Sequence, residues 1–581
     1  MIGPIYTEHT ACQDCYRCLR QCPVKAIRVQ DGHAAVVPER CLNCGLCLNE
    51  CPSEAKKIRS DVGRVRQVLS LGRQVVVSLA PSWVVEFEGE EEQFLQKLHA
   101  QGFLRVESTA LGASLVAKTA IKNPKLAQGI SGACPTIVEY ITRYRPELSP
   151  LLSPLVSPLE AHARSIKDRF GSECIVVFIG PCVAKKLEAD HMASAVDLAL
   201  TFREAKEWLE DSKTTKDYTL VVPPECDDFF LEGGFLRALS QAQLNHEKTS
   251  CGGDGSGDNL AMMNHPMISK GIALSGLDSI LESFDDLEGL ERSSLPPLEF
   301  LACPGGCHNG PGTCQEKSSL SRHIAAAKGL ERGRSLVKKA KALPELPTEK
   351  LLRLYCLSPP IQNHKPEEPD VRGFLTTLGR LSPQDDPDCG SCGYSSCRSF
   401  AAAVLDGMAE ESMCVSVMRR RAQNQNDALM RSIPLGVVIV DQDLAIRKCN
   451  NLFLRLFTDV DFDPPTAVLE QVRGRKIERY IDQLNPLRDV LEGTIESFSG
   501  RIESRGRYYR ATVFPVSHGE SVGAVFQDIT SPQVKRETVI RKAEEVIQKS
   551  LSSVQQIASL LGENAAETQL ILDSLIEAFG E

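Results

Sequence analysis

Residues 12–23 read CQDCYRCLRQCP and residues 41–52 read CLNCGLCLNECP. Each stretch sets four cysteines at C-x2-C-x2-C-x3-C with a proline behind the fourth. The members are Cys12, Cys15, Cys18 and Cys22 before Pro23, and Cys41, Cys44, Cys47 and Cys51 before Pro52. Three thiolates so closely spaced can wrap one cubane of iron and sulfide, leaving the fourth free to reach another. Zinc also takes paired C-x2-C groups, but the doubled register and the two prolines favour iron–sulfur cubes.

Working outward, the chain has 581 residues and 22 cysteines. Its N-terminus shows no basic-then-apolar leader, and its apolar runs are too short to span a bilayer, so a cytoplasmic chain is expected. In that reducing compartment clustered cysteines read as metal ligands, not as a disulfide framework. A net charge of −10 and a pI near 5.7 argue against a nucleic-acid partner. The run Arg419-Arg420-Arg421 reads as a solvated helix face.

The length predicts several domains. Their expected limits are a cysteine-rich domain at 1–60, an α/β domain at 61–345, a linker at 346–375, a second cysteine group at 376–424, a domain of short strands and helices at 425–530 and a helical tail at 531–581. In the α/β domain, β-like runs at Gln74–Leu79, Ile175–Ile179 and Tyr218–Val222 alternate with helical stretches. The Pro-rich, charged segment Ser358 to Asp370 supports the linker. The fold class expected is thus multidomain α+β and α/β.

The N-terminal pair has the spacing of the bacterial two-cluster ferredoxins. That resemblance implies one 4Fe-4S set of Cys12, Cys15, Cys18 and Cys51, and another of Cys41, Cys44, Cys47 and Cys22.

Three motifs follow in the α/β domain: Ser131-Gly132-Ala133-Cys134-Pro135, Gly180-Pro181-Cys182-Val183-Ala184-Lys185-Lys186-Leu187-Glu188, and Glu299-Phe300-Leu301-Ala302-Cys303-Pro304-Gly305-Gly306-Cys307. Alone, each reads as well as a buried small side chain in a loop. In this order, behind a ferredoxin pattern, they resemble the three signature motifs of the [FeFe]-hydrogenase family. The resemblance spans about residues 1–345. It implies that Cys134, Cys182, Cys303 and Cys307 hold a 4Fe-4S cube, and that Cys307 bridges to a di-iron subsite with CO and cyanide, completing an H-cluster. Lys185 matches the lysine that hydrogen-bonds a cyanide. Gly233 and Gly234, in Glu232-Gly233-Gly234-Phe235, match a loop packed near the cluster. The catalytic assignments implied are Lys185 and Cys307.

The match has departures. Catalytic members carry a proton-relaying cysteine where Ala133 stands, and carboxylates upstream of that motif, whereas Ser108 to Pro135 holds neither Asp nor Glu. Gly180 and Leu301 stand where methionines are usual. General acid–base groups typically contribute roughly 10²–10⁴-fold, so slow turnover is expected.

Cys389, Cys392, Cys397 and Cys414 form C-x2-C-x4-C-x16-C, similar to a small 4Fe-4S domain found in several corrinoid-dependent and redox proteins, with zinc as the alternative. Residues 433–449 read as strand, tight turn at Asp441-Gln442-Asp443, and strand. Asn450 and a helix from Leu452 to Phe457 follow. Two further runs, Arg507–Val516 and Ser521–Thr530, read as an antiparallel pair ending in Asp528-Ile529-Thr530, which resembles a PAS domain. Ile540, Ile547, Val554 and Leu561 recur every seven residues, suiting a homodimeric coiled coil, a hairpin or one packed helix. No phosphoacceptor histidine follows His518.

The expected function is a hydrogen- or redox-sensing, hydrogenase-like protein. It would bind or slowly turn over dihydrogen, exchange protons, share electrons with a carrier such as ferredoxin, and signal through the PAS domain to a separate kinase or phosphatase. The rivals are a hydrogenase turning over in earnest and an electron-transfer protein without the di-iron unit. No membrane partner is expected.

Overall fold

The computed structural model describes residues 3–215, 218–222, 228–250, 271–314, 318–336, 338–339, 344–353, 360–361, 366–458, 472–517, 519–530 and 546–550. The chain divides into two compact units, Met1–Met413 and Cys414–Glu581.

The first unit opens with two short antiparallel pairs. β1 (Ile5–Thr7) pairs with β4 (Lys56–Ile58), and β2 (Ile27–Gln30) with β3 (His33–Val36). Asp31 and Gly32 both take positive φ between β2 and β3, the geometry of a two-residue turn that an Asp-Gly pair provides. Ile5, Ile27, Val29 and Ala34 are buried. A core that small gains from staples beyond its apolar contacts, consistent with eight cysteines in so few residues.

Nine parallel strands follow among the described residues: β5 (Val75–Leu79), β6 (Arg105–Ser108), β7 (Gly129–Ile130), β8 (Ile175–Gly180), β9 (Leu198–Thr201), β10 (Leu220–Val222), β11 (Ile272–Ser275), β12 (Pro297–Leu301) and β13 (Lys338–Lys339). They form a six-stranded sheet, β13-β10-β6-β5-β8-β9, and a three-stranded sheet, β11-β12-β7. β5 is buried along its whole length, as a strand covered on both faces must be; its sequence VVVSL supplies the continuous apolar run. The expected strands at 74–79 and 175–179 are present, and the third is shorter, at 220–222. The three-stranded sheet lay beyond the sequence reading, because β7 has only two residues and no periodicity to detect.

Residues 346–353, within the stretch expected as a linker, pack on this domain. Leu346 and Leu351 are buried against Leu115 and Leu155, and the Val156 amide donates to the Leu351 carbonyl at 3.0 Å. Helices Glu368–Thr377 and Cys397–Leu405 then form a small domain around Leu375 and Phe400.

The second unit begins with helix Val415–Ser432, on which Arg419, Arg420 and Arg421 are exposed. β14 (Gly436–Asp441), β15 (Ile446–Cys449), β16 (Phe498–Ser504), β17 (Arg507–Ser517) and β18 (Ser521–Asp528) form an antiparallel sheet ordered β15-β14-β18-β17-β16. Helices Asn451–Phe457 and Asn485–Leu491 lie between β15 and β16 in sequence. This is a PAS-like topology: both outer pairs are hairpin neighbours, and the first and last strands meet in the middle. Val438, Val440, Phe453, Tyr509 and Phe526 lie in its core. Of the heptad positions only Ile547 is described, in a helical segment; Ile540, Val554, Leu561 and also His518 lie outside the described residues.

Asn450 ties this unit together. It is buried; its Nδ2 donates to the carbonyls of Met430 (3.1 Å) and Leu435 (2.7 Å), and its Oδ1 accepts from the amides of Val437 and Phe453, each at 2.9 Å. All four valences of the amide are used. Asn450→Ala orphans two donors and two acceptors, so a loss of about 2–4 kcal/mol is expected in the second unit. Calorimetry should show the second unit's transition falling while the first unit's stays; two unmoved transitions would refute the assignment.

Candidate metal centre and its cavity

Ligands in parallel α/β sheets bind beyond the carboxyl ends of strands, and both sheets of the first unit turn such ends toward one cavity. β5 runs into Ala80-Pro81-Ser82, β6 into Thr109, β7 into Ala133-Cys134, β8 into Pro181-Cys182, and β12 into Ala302-Cys303; all of these line that cavity together with Cys307. Cys134 immediately precedes helix Pro135–Tyr144 and caps it. Cys182 stands two residues before helix Ala184–Asp190.

The Cys303–Cys307 loop owes its shape to its glycines. Gly305 and Gly306 have φ of 75° and 119°. A Cβ on Gly306 would lie 2.5 Å from the Phe230 carbonyl, whose oxygen accepts the Cys307 amide at 2.8 Å. Neither conformation nor space admits a side chain there. Gly180 is explained similarly: a Cβ there would meet the Phe178 ring at 2.3 Å, and Phe178 itself lines the cavity.

Cys134, Cys182, Cys303 and Cys307 thus converge. Burial pushes the Cys182 thiol up to about 11, with Cys134 adding to it. Burial likewise raises Cys303 and Cys307, and their neighbouring cavity thiols raise them further. Thiols that resist ionisation when empty must release protons on taking up metal. The walls are apolar, with Pro81, Pro158, Leu159, Phe230 and Leu301 among them. Two buried polar atoms of lining residues, Ser82 Oγ and Glu299 Oε2, have no hydrogen-bond partner. Four convergent thiols, dry walls and two unspent polar atoms fit an iron–sulfur group bearing polar ligands.

Lys185 is buried at the cavity. Its Nζ meets Glu188 Oε2 at 2.5 Å and the Ala133 carbonyl at 3.4 Å, so it reaches across to the Cys134 loop. Glu188 is also held by the Ser157 hydroxyl. Burial would raise the Glu188 carboxyl, but Lys185 and its other partners bring it below the usual range. Gly233 and Gly234 are not among the lining residues. They start helix Gly234–Ser250, and their loop pairs with the glycine loop through a Leu231–Gly306 bridge; Phe229 and Phe230 just before them reach the cavity.

Cys22, Cys41, Cys44 and Cys47 influence one another's ionisation, each raised first by burial. Cys12 and Cys15 act on Cys18 in the same way. Cys44 also lines the cavity, and its loop is pressed onto Pro311, 2.2 Å from where a Gly45 Cβ would stand.

Cys389, Cys392 and Cys397 lie in the small domain; Cys414 opens the second unit, at the head of helix Val415–Ser432. Cys397 starts its helix beneath the Ser396 cap, and the Arg380 guanidinium lies on its Sγ. This domain docks on the N-terminal one. The Val29 amide donates to the Met408 carbonyl at 3.0 Å, the Asp31 and Gly32 amides donate to the Glu410 carboxylate, and Arg40 pairs with Asp406 at 2.7 Å. Tyr394, raised first by burial, is influenced by both Cys392 and Cys22. The Cys22 set therefore has the cavity on one side and the third cysteine group on another.

Comparison with known proteins agrees with this geometry. Residues 73–311 match the iron only hydrogenase large subunit, C-terminal domain, and residues 4–52 match a 4Fe-4S dicluster domain. The chain carries an iron-only-hydrogenase-like domain behind a 4Fe-4S dicluster domain. Residues 387–416 match an Fe-S cluster family. Among solved structures, an [FeFe]-hydrogenase from Chlamydomonas reinhardtii is 16% identical, with 52% of this chain and 100% of that chain covered at a TM-score of 0.37. A PAS domain of an HTR-like protein from Haloarcula marismortui is 18% identical, covering 19% of this chain and 95% of that one at a TM-score of 0.15. No curated protein matches the chain. Among the described residues no helix is long and apolar enough to cross a membrane.

The sequence reading of the hydrogenase-like domain missed Ser82, Thr109, Phe229 and Phe230 as wall residues, and gave Glu299 no role although it opens the third motif. Among the described residues Glu299 is the one carboxyl on the wall. Burial pushes it up to about 7, and its Oε1 accepts the Phe235 amide at 3.1 Å. Its fixed place four residues before Cys303 was the available signal.

Proposed function

We propose that this protein binds dihydrogen at an H-cluster held by Cys134, Cys182, Cys303 and Cys307, turns it over slowly, and passes the resulting redox change to a separate signalling protein. The observation that carries this reading is the convergence of those four thiols on one dry cavity whose wall has Ala133 where a relaying thiol would be expected. The bound group would supply a low-valent di-iron centre able to take electrons from dihydrogen. The chain's own residues do the rest. Lys185, fixed by Glu188, aims a cation at the Cys134 loop and can hydrogen-bond a cyanide. Ser82 Oγ offers a second donor. The apolar wall excludes water, which strengthens both contacts. Glu299 holds a proton near neutral pH at Oε2.

Cys44, on the cavity wall and within the Cys22 set, gives electrons a short way out, and Tyr394 lies between that set and Cys392. A cluster on Cys389, Cys392 and Cys397 would take up the change; within the second unit, Asn450 bonds the far end of helix Val415–Ser432 to the PAS-like sheet. A homodimer through the sheet and the C-terminal helices, and a kinase or phosphatase as recipient, complete the proposal.

Anaerobically matured protein should show CO and cyanide infrared bands that shift under dihydrogen, with uptake far below that of a bulk catalyst. Absence of the bands after competent maturation would leave an electron-transfer protein, and fast hydrogen evolution would make it a working hydrogenase.

A further inference from the structure

A continuous run of hydrogen bonds leads away from the cavity wall through the interior. Thr109, on the wall, places its hydroxyl 2.8 Å from Ser78 Oγ. Ser78 Oγ lies 2.8 Å from His162 Nδ1, and His162 Nε2 lies 3.1 Å from Glu107 Oε2. Glu107 is clasped by Arg169 at 2.6 and 3.0 Å and approached by Arg105 at 3.6 Å. Ser78, His162 and Glu107 are completely buried, whereas the side chains of Arg169 and Arg105 are 19% and 47% exposed.

The fold builds this run deliberately. Ser78 and Glu107 are register partners on β5 and β6, so their side chains leave the sheet on the same face. Ser78 is the one polar residue in an otherwise apolar strand. His162 comes down on both from helix Pro158–Phe170. That helix lies so close to helix Ala110–Lys122 that a Cβ at Gly112 would be 1.9 Å from the Pro158 carbonyl and 2.8 Å from the His162 amide. Only glycine permits that approach.

A structural role alone would need His162 to satisfy Glu107. It would not need two hydroxyls in series that end at the cavity. We propose that Thr109, Ser78, His162 and Glu107 form a proton path between the cavity and the surface at Arg169, doing the work for which Ala133 has no titratable group. This rests on the function proposed above. Moving outward, Thr109 Oγ1 accepts a proton and passes its own to Ser78. Ser78 passes its own to His162 Nδ1, the Nε2 proton goes to Glu107, and water beside the guanidiniums takes it up. One proton is moved, no electrons are, and rotation of the hydroxyls with exchange of the histidine tautomer resets the chain. The groups are prepared for this order. Burial lowers His162, keeping it neutral and able to accept at Nδ1. Burial raises Glu107, but its bonds to His162 and Arg169 outweigh this and hold it at about 2, so it stays ionised, accepts the Nε2–H hydrogen bond and hands a proton straight on to water.

Two measurements on the full chain test the path. In unloaded protein labelled with 15N-histidine, His162 should be the Nε2–H tautomer with Nδ1 accepting; an Nδ1–H tautomer would overturn the wiring. In matured protein, Thr109→Val and Ser78→Ala should leave the CO and cyanide band positions unchanged. Both should slow the band conversion that follows a pH jump under dihydrogen by about tenfold or more, and Thr109→Ser should restore it. Unchanged rates in both breaking variants, with bands intact, would overturn the path alone. A wild-type protein without bands would overturn the reading beneath it, and the path with it.

Discussion

Replacing Lys186 with methionine is expected to destabilise the first unit by about 3–5 kcal/mol. Lys186 is fully buried, yet each of its three donors is used: Asp61 Oδ2 at 2.9 Å, Glu204 Oε2 at 2.9 Å and the Ala199 carbonyl at 2.8 Å. Asp61 is also bound by Arg59 and Arg64, each at 3.1 Å, and Asp190 by Arg59 at 2.8 Å. Three cations thus meet three carboxylates. Methionine matches lysine in volume but leaves Asp61 and Glu204 buried with one negative charge in excess. The damage falls on function as well, because Lys186 neighbours Lys185 and sits on the helix that follows Cys182. The network also joins the segment after β4 to helix Phe202–Leu209, since Glu204 accepts the Asp61 amide at 2.8 Å. Denaturant unfolding of Lys186→Met, Asp61→Asn and the double variant should show the pair costing less than the sum of its singles, as coupled neighbours do. A loss below about 1 kcal/mol for Lys186→Met would show that water reaches the site and that the network carries little. The sign with pH follows from Asp61. Burial would raise it, but Lys186 and Arg59 bring it below the ordinary carboxylate range. It therefore contributes stability above its unfolded pKa that is lost as pH falls through the folded one, and Lys186→Met weakens that acid sensitivity while Arg59 keeps part of it.

What could be read in advance followed from local chemistry. The spacing of Cys12 to Cys22 and Cys41 to Cys51 is set by how closely thiolates can wrap a cube, so it survives in sequence whatever the fold around it. The glycine pair between Cys303 and Cys307 was visible in the motif, but that both residues take positive φ came only from the fold. The PAS-like strands showed as alternation, and Asn450 announced a helix start. The Lys186 network was not legible, because its carboxylates come from positions 61 and 204 and only the sheet brings them together. Ser78 and His162 were likewise invisible, one a polar residue in an apolar strand and the other a lone histidine on a helix. Gly180 read as a departure, and Phe178 two residues earlier supplies the bulk instead. Interior polar networks are three-dimensional, whereas metal-binding loops are local.

Changing Glu299 to glutamine should raise stability at pH 8 by about 3 kcal/mol and leave it nearly unchanged at pH 4. Glu299 sits on β12 with 1% of its surface exposed, and burial pushes its carboxyl from the ordinary 4.5 to about 7. Between those two values the folded chain binds a proton that the unfolded chain has released, so stability falls as pH rises through this window and levels off above it. The wild-type curve will not show this cleanly. Burial lowers His162, and it brings His308 down to about 4; both tilt stability the other way over much of the same range. The difference between variant and wild type cancels them and isolates Glu299. Glutamine suits the test because its Oε1 can still accept the Phe235 amide, and its NH2 group replaces the hydroxyl of the neutral acid. Parallel pH profiles for the two proteins would show that Glu299 is ionised in the fold and solvated by water at the cavity. In matured protein the same substitution removes the Glu299 carboxyl from the wall. Hydrogen uptake should then fall by roughly 10²-fold or more, with the CO and cyanide bands still present, because glutamine cannot hold and release a proton where Ala133 already offers none.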